Sequence, residues 1–298
     1  MIGIVQDKRS FPNPEEFLKL GYELGAQHVE FKYEARLDQA YNIRGEMAGR
    51  LREFAQEKGI TLSIHAPYDQ GISFGDPNPE VQAITRQRML ECLEFAEKIS
   101  ATYITVHGGS VEVKPEEEVK AGLGTPNRVT MRDKVSSTVF AALKERTFND
   151  LAWFIREGRA RGIVIAIENY HDFSFSRLRY PIIPSDFTEC RQVLGDCFSI
   201  NFDSGHAHST GIHILDFISG VGPENIVGTH LHDNNQLTDG HLAIFAGTID
   251  FAAFFRIYKE SQWQFALNIE IKDRDRFFTC WDILKSQMSS NVPVLAKY

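Results

Sequence analysis

No run of about 18 consecutive apolar residues occurs in this 298-residue chain, so no segment is a candidate membrane-spanning helix. Its four cysteines, Cys92, Cys190, Cys197 and Cys280, form no CxxC pair and adjoin no cluster of histidines. They read as unbridged, mostly buried thiols in a reducing compartment, which excludes a disulfide scaffold or a cysteine zinc site. Basic charge is also short: 32 Lys and Arg face 40 Asp and Glu, for a net charge of −8. Tight binding to nucleic acid needs a basic footprint, so the balance argues against such a partner. Repeats, low-complexity tracts and linker-like stretches are lacking. The opening residues, MIGIVQDKRSFPNPEE, lack the basic segment and long apolar stretch of a secretory leader. The expectation is a cytoplasmic protein with one domain over 1–298, since the 43% hydrophobic content suits a large core.

What the chain does contain is an alternation. Eight short apolar runs, IGIVQ (2–6), HVEFK (28–32), TLSIH (61–65), TYITVH (102–107), GIVIAIE (162–168), FSINFD (198–203), NIVGTHLH (225–232) and FALNIEI (265–271), are separated by longer helical stretches. Continuous apolarity marks strands buried on both faces, and the alternation predicts a parallel sheet closed as a (β/α)8 TIM barrel. Helix starts are signalled by Asn13-Pro14, Pro77-Asn78-Pro79, Ser185-Asp186 and Thr248-Ile249-Asp250. Met131, Val135, Val139 and Leu143 fall at i, i+4 steps and predict one further helix. Before it, the polar segment 108–128 reads either as a lid over the site or as an exposed insertion.

Within six of these runs the apolar stretches TLSI, YITV, IVIAI, FSINF, NIVGT and FALNI end in His65, His107, Glu168, Asp203, His230 and Glu270. Barrel strands deliver their last side chains to one common face, where such enzymes build their sites. A lone buried histidine is ordinarily a core residue bonded to backbone, but an ordered set is not explained by packing. His206, Asp239 and His241, in the turns after two of these runs, bring the candidate ligands to nine. Histidine and carboxylate donors suit zinc or manganese.

The segments SIHAPY (63–68), TVHGG (105–109), AIEN (166–169), NFDSGHAHSTG (201–211), THLHDN (229–234), DGHLAIFAGTIDF (239–251) and NIEIKD (268–273) carry a resemblance. In that order they make the chain similar to the xylose isomerase-like TIM barrels, which include endonuclease IV and sugar-phosphate isomerases and epimerases. The resemblance implies one divalent metal held by Glu168, Asp203, His230 and Glu270, with the two glutamates as the acid/base pair. By the same resemblance, His65, His107, His206, Asp239 and His241 complete the trinuclear zinc set of endonuclease IV, so one to three ions of manganese or zinc are implied. The expected activity is isomerisation or epimerisation of a small sugar or sugar phosphate through an enediolate. An abasic-site phosphodiesterase and a barrel that binds metal or ligand without turnover stand as alternatives. The resemblance implies that dimers or tetramers are common among such barrels.

The chain also departs from both branches. Glu168-Asn169 continues as YHDF, Gly240 stands where endonuclease IV has arginine, and AIFAG replaces the Pro and GxG segment of the isomerases. Phe245 is expected to pack beneath its loop rather than narrow the site. Tyr68, Asn169, Arg177 and Arg179 are candidate substrate contacts, the two arginines for a phosphate or carboxylate. Solvated loop charges are the plainer reading of that pair. His208 and His232, next to ligands in sequence, are read as supporting or surface residues on the opposite register. Trp153, Trp263 and Trp281 read as packing residues rather than sugar platforms.

Overall fold

The computed structural model of the protein describes residues 1–33, 46–68, 71–113, 131–171 and 177–289. Ten strands are present among them: β1 (Ile2–Val5), β2 (His28–Lys32), β3 (Thr61–His65), β4 (Tyr103–His107), β5 (Gly109–Glu112), β6 (Val164–Glu168), β7 (Arg177–Tyr180), β8 (Ser199–Asp203), β9 (Ile226–His230) and β10 (Leu267–Ile269). Eight form a parallel sheet in the order β10-β1-β2-β3-β4-β6-β8-β9, and these are the eight apolar runs of the sequence. The last gap, between β9 and β10, is bridged by Leu231 N–H to Asn268 O at 2.8 Å and Glu270 N–H to Leu231 O at 3.1 Å. The sheet is thus a (β/α)8 barrel.

The strands divide their side chains by parity. Leu62 and Ile64, Ile104 and Val106, Ile165 and Ile167, and Ile200 and Phe202 join the apolar shell under the helices. The other parity lines the barrel, and here that lining is polar: His28, Glu30, Ser63, Tyr103, Thr105, Asn201 and Asn268 are all buried. Barrel interiors are ordinarily filled by branched aliphatics. In this one His28, Glu30, Ser63, Tyr103, Thr105 and Asn268 form a hydrogen-bonded column directly below the strand-end donors.

Helix starts follow the sequence signals. Asn13 accepts from Glu15 N and Glu16 N ahead of Pro14–Leu24, Asn78 caps Pro79–Lys98, and Asp250 caps Phe251–Glu260. Pro184–Leu194 begins one residue before Ser185-Asp186, and the Asp186 carboxylate accepts from Ile182 N and Ile183 N. The expected single helix through Met131 and Leu143 is corrected. A 3-10 turn covers Met131–Lys134, and a separate helix, Ser137–Ala160, starts on the Ser136 cap. A hydroxyl cap ends the i, i+4 register there, and Val139 is 40% exposed rather than on the buried face.

A second, two-stranded antiparallel sheet pairs β5 with β7. It takes up the start of the 108–128 segment, whose residues 114–128 lie outside the described ones. The Gly-Gly of TVHGG is needed there: a Cβ on Gly108 would meet Tyr180 O at 2.2 Å, and one on Gly109 would meet Thr147 Oγ1 at 1.9 Å.

Candidate metal centre

His65, His107, Glu168, Asp203 and His230 are the last residues of β3, β4, β6, β8 and β9, and Glu270 follows β10 directly. Asp203 also caps the short helix Ser204–Ser209, accepting from His206 N at 2.6 Å. That hydrogen bond uses Oδ1 and leaves Oδ2 toward the neighbouring donors. His241 reaches the rim from a loop held by Asp233, whose carboxylate accepts from Gly247 N, Ile249 N and Asn234 N. Gly247 has no room for a side chain, since its Cβ would fall 2.4 Å from both Asp233 Oδ1 and Asn234 O.

The imidazoles are aimed by their second nitrogens. His65 Nδ1 lies 2.8 Å from Ala66 O, His206 Nδ1 2.8 Å from Asn169 O, and His241 Nδ1 3.0 Å from Glu270 O. A carbonyl only accepts, so each Nδ1 carries a hydrogen, and Nε2 is the nitrogen turned toward the cavity and its carboxylates. His230 is turned the other way. Its Nε2 faces Glu30 at 2.8 Å, and its Nδ1 faces Glu168 Oε1 at 3.2 Å and Glu270 Oε2 at 3.4 Å.

Glu168 sits between two groups of donors. Its Oε2 lies 3.2 Å from His65 Nε2 and 3.1 Å from His107 Nε2, while its Oε1 belongs with His230. Glu168 Oε2 and His107 Nε2 are buried and neither makes a hydrogen bond, so this close approach is not explained by one. Two donors on one zinc-sized ion lie about 3.0–3.5 Å apart at tetrahedral or octahedral angles. The spacing and the unpaired atoms therefore fit a cation. The sets His65, His107, Glu168 and Glu168, Asp203, His230, Glu270 each bring their ligand atoms within 4.8 Å of one another.

Electrostatics agree. Burial opposes charge on His230, but Glu168, Glu30 and Glu270 outweigh it and raise the imidazole well above its ordinary value. Burial likewise opposes charge on His206, and Asp203 and Asp239 still raise it to about 10. Burial also disfavours an ionised Glu168, yet His230 and His107 hold it well below the carboxylate range. Carboxylate potential that overcomes burial is what draws a cation into such a site.

His65, His107, Glu168, His206, Asp239, His241 and Glu270 line a cavity of about 360 Å³ together with Tyr68, Tyr170, His171, Arg177, Arg179 and Lys272. That volume suits a small ligand. Tyr68 stands at its mouth, 41% exposed, with its ring 4.9 Å from those of His65 and His107. Arg177 and Arg179 occupy alternate positions of β7, while Leu178 between them and Tyr180 after them are fully buried. Arg177 donates to Ser110 Oγ and O, and Arg179 donates to His171 O at 2.9 Å.

Two expectations are corrected. Asn169 does not serve the cavity: it is fully buried, its amide donates to Asp203 O, and its Oδ1 accepts from Asp203 N. It positions Asp203. His232 does not face away, because two residues separate it from His230 and i, i+2 share a face. It is fully buried, with Nε2 3.1 Å from Asp203 Oδ2 and its ring stacked 3.9 Å from that of His241. Gly205 makes room for it, since a Cβ there would fall 1.9 Å from His232 Cε1. His208 instead bonds Thr248 Oγ1, and Phe245 packs against Phe251 and Phe255.

Sequence reading missed three further residues. His171 approaches His206 and Asp239, and burial, His206 and Arg179 push it down to about 2, leaving a neutral imidazole. Lys32 pairs with Glu270, and Glu30 with His230. The spacing of Glu30 and Lys32 on one face of HVEFK was the available signal.

A family model described as xylose isomerase-like TIM barrel matches residues 18–291. An uncharacterized protein of Methanocaldococcus jannaschii, MJ1614, is 25% identical over 233 residues, covering 78% of this chain and 80% of that protein. A solved D-tagatose 3-epimerase-like protein superposes with a TM-score of 0.76 at 21% identity, over 96% of both chains. The IOLI protein with a binding zinc atom gives 0.67 at 14% identity, again over 96% of both. Among the described residues no helix is long and apolar enough to cross a membrane.

Proposed function

The chain belongs to the xylose isomerase-like TIM barrel family, and on that footing we propose that it is a divalent-metal-dependent isomerase or epimerase of a small sugar or sugar phosphate. The observation that carries this reading is the buried set Glu168, Asp203, His230 and Glu270, of which Glu168 and Glu270 line a cavity of about 360 Å³. The likeness to a D-tagatose 3-epimerase-like fold and to a zinc-bearing barrel supports it. A manganese or zinc ion bound there would polarise a substrate carbonyl as a Lewis acid.

The chain's own groups move the proton. Glu270 keeps its charge despite burial because Lys32 and His230 stabilise it. A Glu270 oxygen takes the hydrogen from the carbon beside the carbonyl. Returning that proton to the former carbonyl carbon isomerises the sugar; epimerisation instead leaves it on Glu270 and takes a second proton from a protonated Glu168 on the opposite face, both carboxyls then resetting by exchange with water. Incubating the metal-loaded enzyme with a ketose panel in deuterated water tests the reading. Loss of one C–H signal by NMR is expected, and no exchange with any metal and any sugar overturns it.

The second donor set, His65, His107 and Glu168, favours one alternative, a phosphodiesterase with several metals. A duplex carrying an abasic site, left intact at micromolar enzyme, removes it.

Arg177 and Arg179 suit an anionic group on the substrate. Arg177 also ties down Ser110, so Arg179→Gln is the cleaner probe. It should raise KM for a sugar phosphate about 10- to 100-fold, the range of one charged hydrogen bond, with little change for the unphosphorylated sugar. Equal KM values in variant and wild type would show that Arg179 holds the wall and not the substrate.

A further inference from the structure

Glu30 lies one layer below the donors, fully buried inside the barrel. Its Oε2 accepts from Ser63 Oγ at 2.9 Å and Thr105 Oγ1 at 3.0 Å, and its Oε1 faces His230 Nε2 at 2.8 Å. Both hydroxyls therefore hold one oxygen and turn the other onto a single imidazole nitrogen. Ser63 is itself held, 2.8 Å from His28 Nε2, and the His28 ring stacks 5.3 Å from that of Tyr103. The column fixes Glu30 from beneath.

An ionised carboxylate can only accept. His230 Nε2 must then carry a hydrogen, and the nitrogen free to give up its proton to a bound cation is Nδ1, which faces Glu168, Glu270 and Asp203. The opposite arrangement would aim an N–H at the cation position and leave an unprotonated nitrogen against a carboxylate. His65, His206 and His241 obtain their orientation from backbone carbonyls; His230 obtains it from a charged side chain on a different strand.

We propose that Glu30 is a positioning residue that sets the His230 tautomer and presents Nδ1 to the metal, so that affinity at the four-donor centre depends on a carboxylate outside it. A carboxylate also makes the imidazole a stronger donor, and outer partners of this kind are worth about 10- to 100-fold in metal affinity. The inference rests on the reading of Glu168, Asp203, His230 and Glu270 as a cation centre, and it does not depend on which sugar is turned over.

The test uses the full chain and zinc, read by calorimetry and by histidine nitrogen–proton correlation NMR. Glu30→Gln keeps an acceptor oxygen for His230 and can give its NH2 to the Ser63 or Thr105 hydroxyl. It should retain the tautomer and lose about tenfold in affinity. Glu30→Met offers no acceptor, so it should lose about 100-fold and show a second His230 tautomer. A role confined to packing would move the melting temperature and leave the tautomer alone. Wild-type protein needs no variant to be informative: zinc-loaded His230 protonated on Nε2 is expected, and protonation on Nδ1 overturns the proposal. Zinc affinities within twofold of wild type in both variants also overturn it, with the cation centre left standing. Wild type that binds no zinc or manganese removes that centre and this proposal together.

Discussion

Glu168→Gln will leave the barrel folded and cost both tight metal binding and turnover. Glu168 is the residue that the two donor sets have in common: one oxygen serves His65 and His107, the other His230. An amide cannot reproduce this, because one end becomes a donor and points at a nitrogen or at the ion. The set Glu168, Asp203, His230 and Glu270 also falls from three carboxylates to two. A loss of at least about 100-fold in affinity follows from removing a charged ligand whose group is 1% exposed. Thermal unfolding with and without zinc makes this visible. At free zinc near 100 times the wild-type Kd, binding stabilises wild type by about 2.7 kcal/mol. The same zinc stabilises a variant 100-fold weaker by only about 0.4 kcal/mol. Metal analysis should agree, with zinc depleted after dialysis. Equal zinc-dependent shifts in the two proteins would show that Glu168 is not a ligand.

The barrel was legible in the sequence because each strand is buried on both faces. TLSIH, YITVH and VIAIE read as continuous apolar runs whose last residue is a donor, and strand ends are where barrels place their sites. The polar lining was harder to see. In HVEFK, Val29 and Phe31 suffice to mark a strand, yet His28, Glu30 and Lys32 share the inward face. Charged residues at that parity are paired across the barrel, which a run read for apolarity conceals. His232 was misassigned by counting it as adjacent to His230 when it is two residues on. Asn169 was taken for a substrate contact because it follows a ligand, but the next residue on a strand turns away, and it spends its amide on Asp203. The β5–β7 ribbon left little trace, since GSVE and RLRY are too short and too polar to stand out. It forms because two glycines allow the backbone to lie against Tyr180 and Thr147. Placing Arg177 and Arg179 over the cavity needs that pairing, which depends on residues more than 60 positions apart in the chain.

Glu270→Gln separates proton transfer from metal binding. Glu270 lines the cavity and is 6% exposed, so it is the more accessible of the two glutamates. Lys32 engages its Oε1, while Oε2 faces His230 at 3.4 Å. In the variant the amide oxygen will turn to Lys32, because an ammonium only donates. The NH2 then occupies the Oε2 position, where it neither ligates nor accepts a proton. Three of the four donors remain, so metal affinity should fall about 100-fold, a deficit that added metal restores. Turnover should not return with it. A positioned carboxylate base is worth about 10²–10⁴-fold, and at saturating metal the exchange of substrate hydrogen with deuterated water should slow by about 10³-fold. Unchanged KM with that loss would place the effect on the proton and not on substrate binding. Exchange within tenfold of wild type at saturating metal would leave Glu270 as a ligand alone and move the search for the base to Glu168.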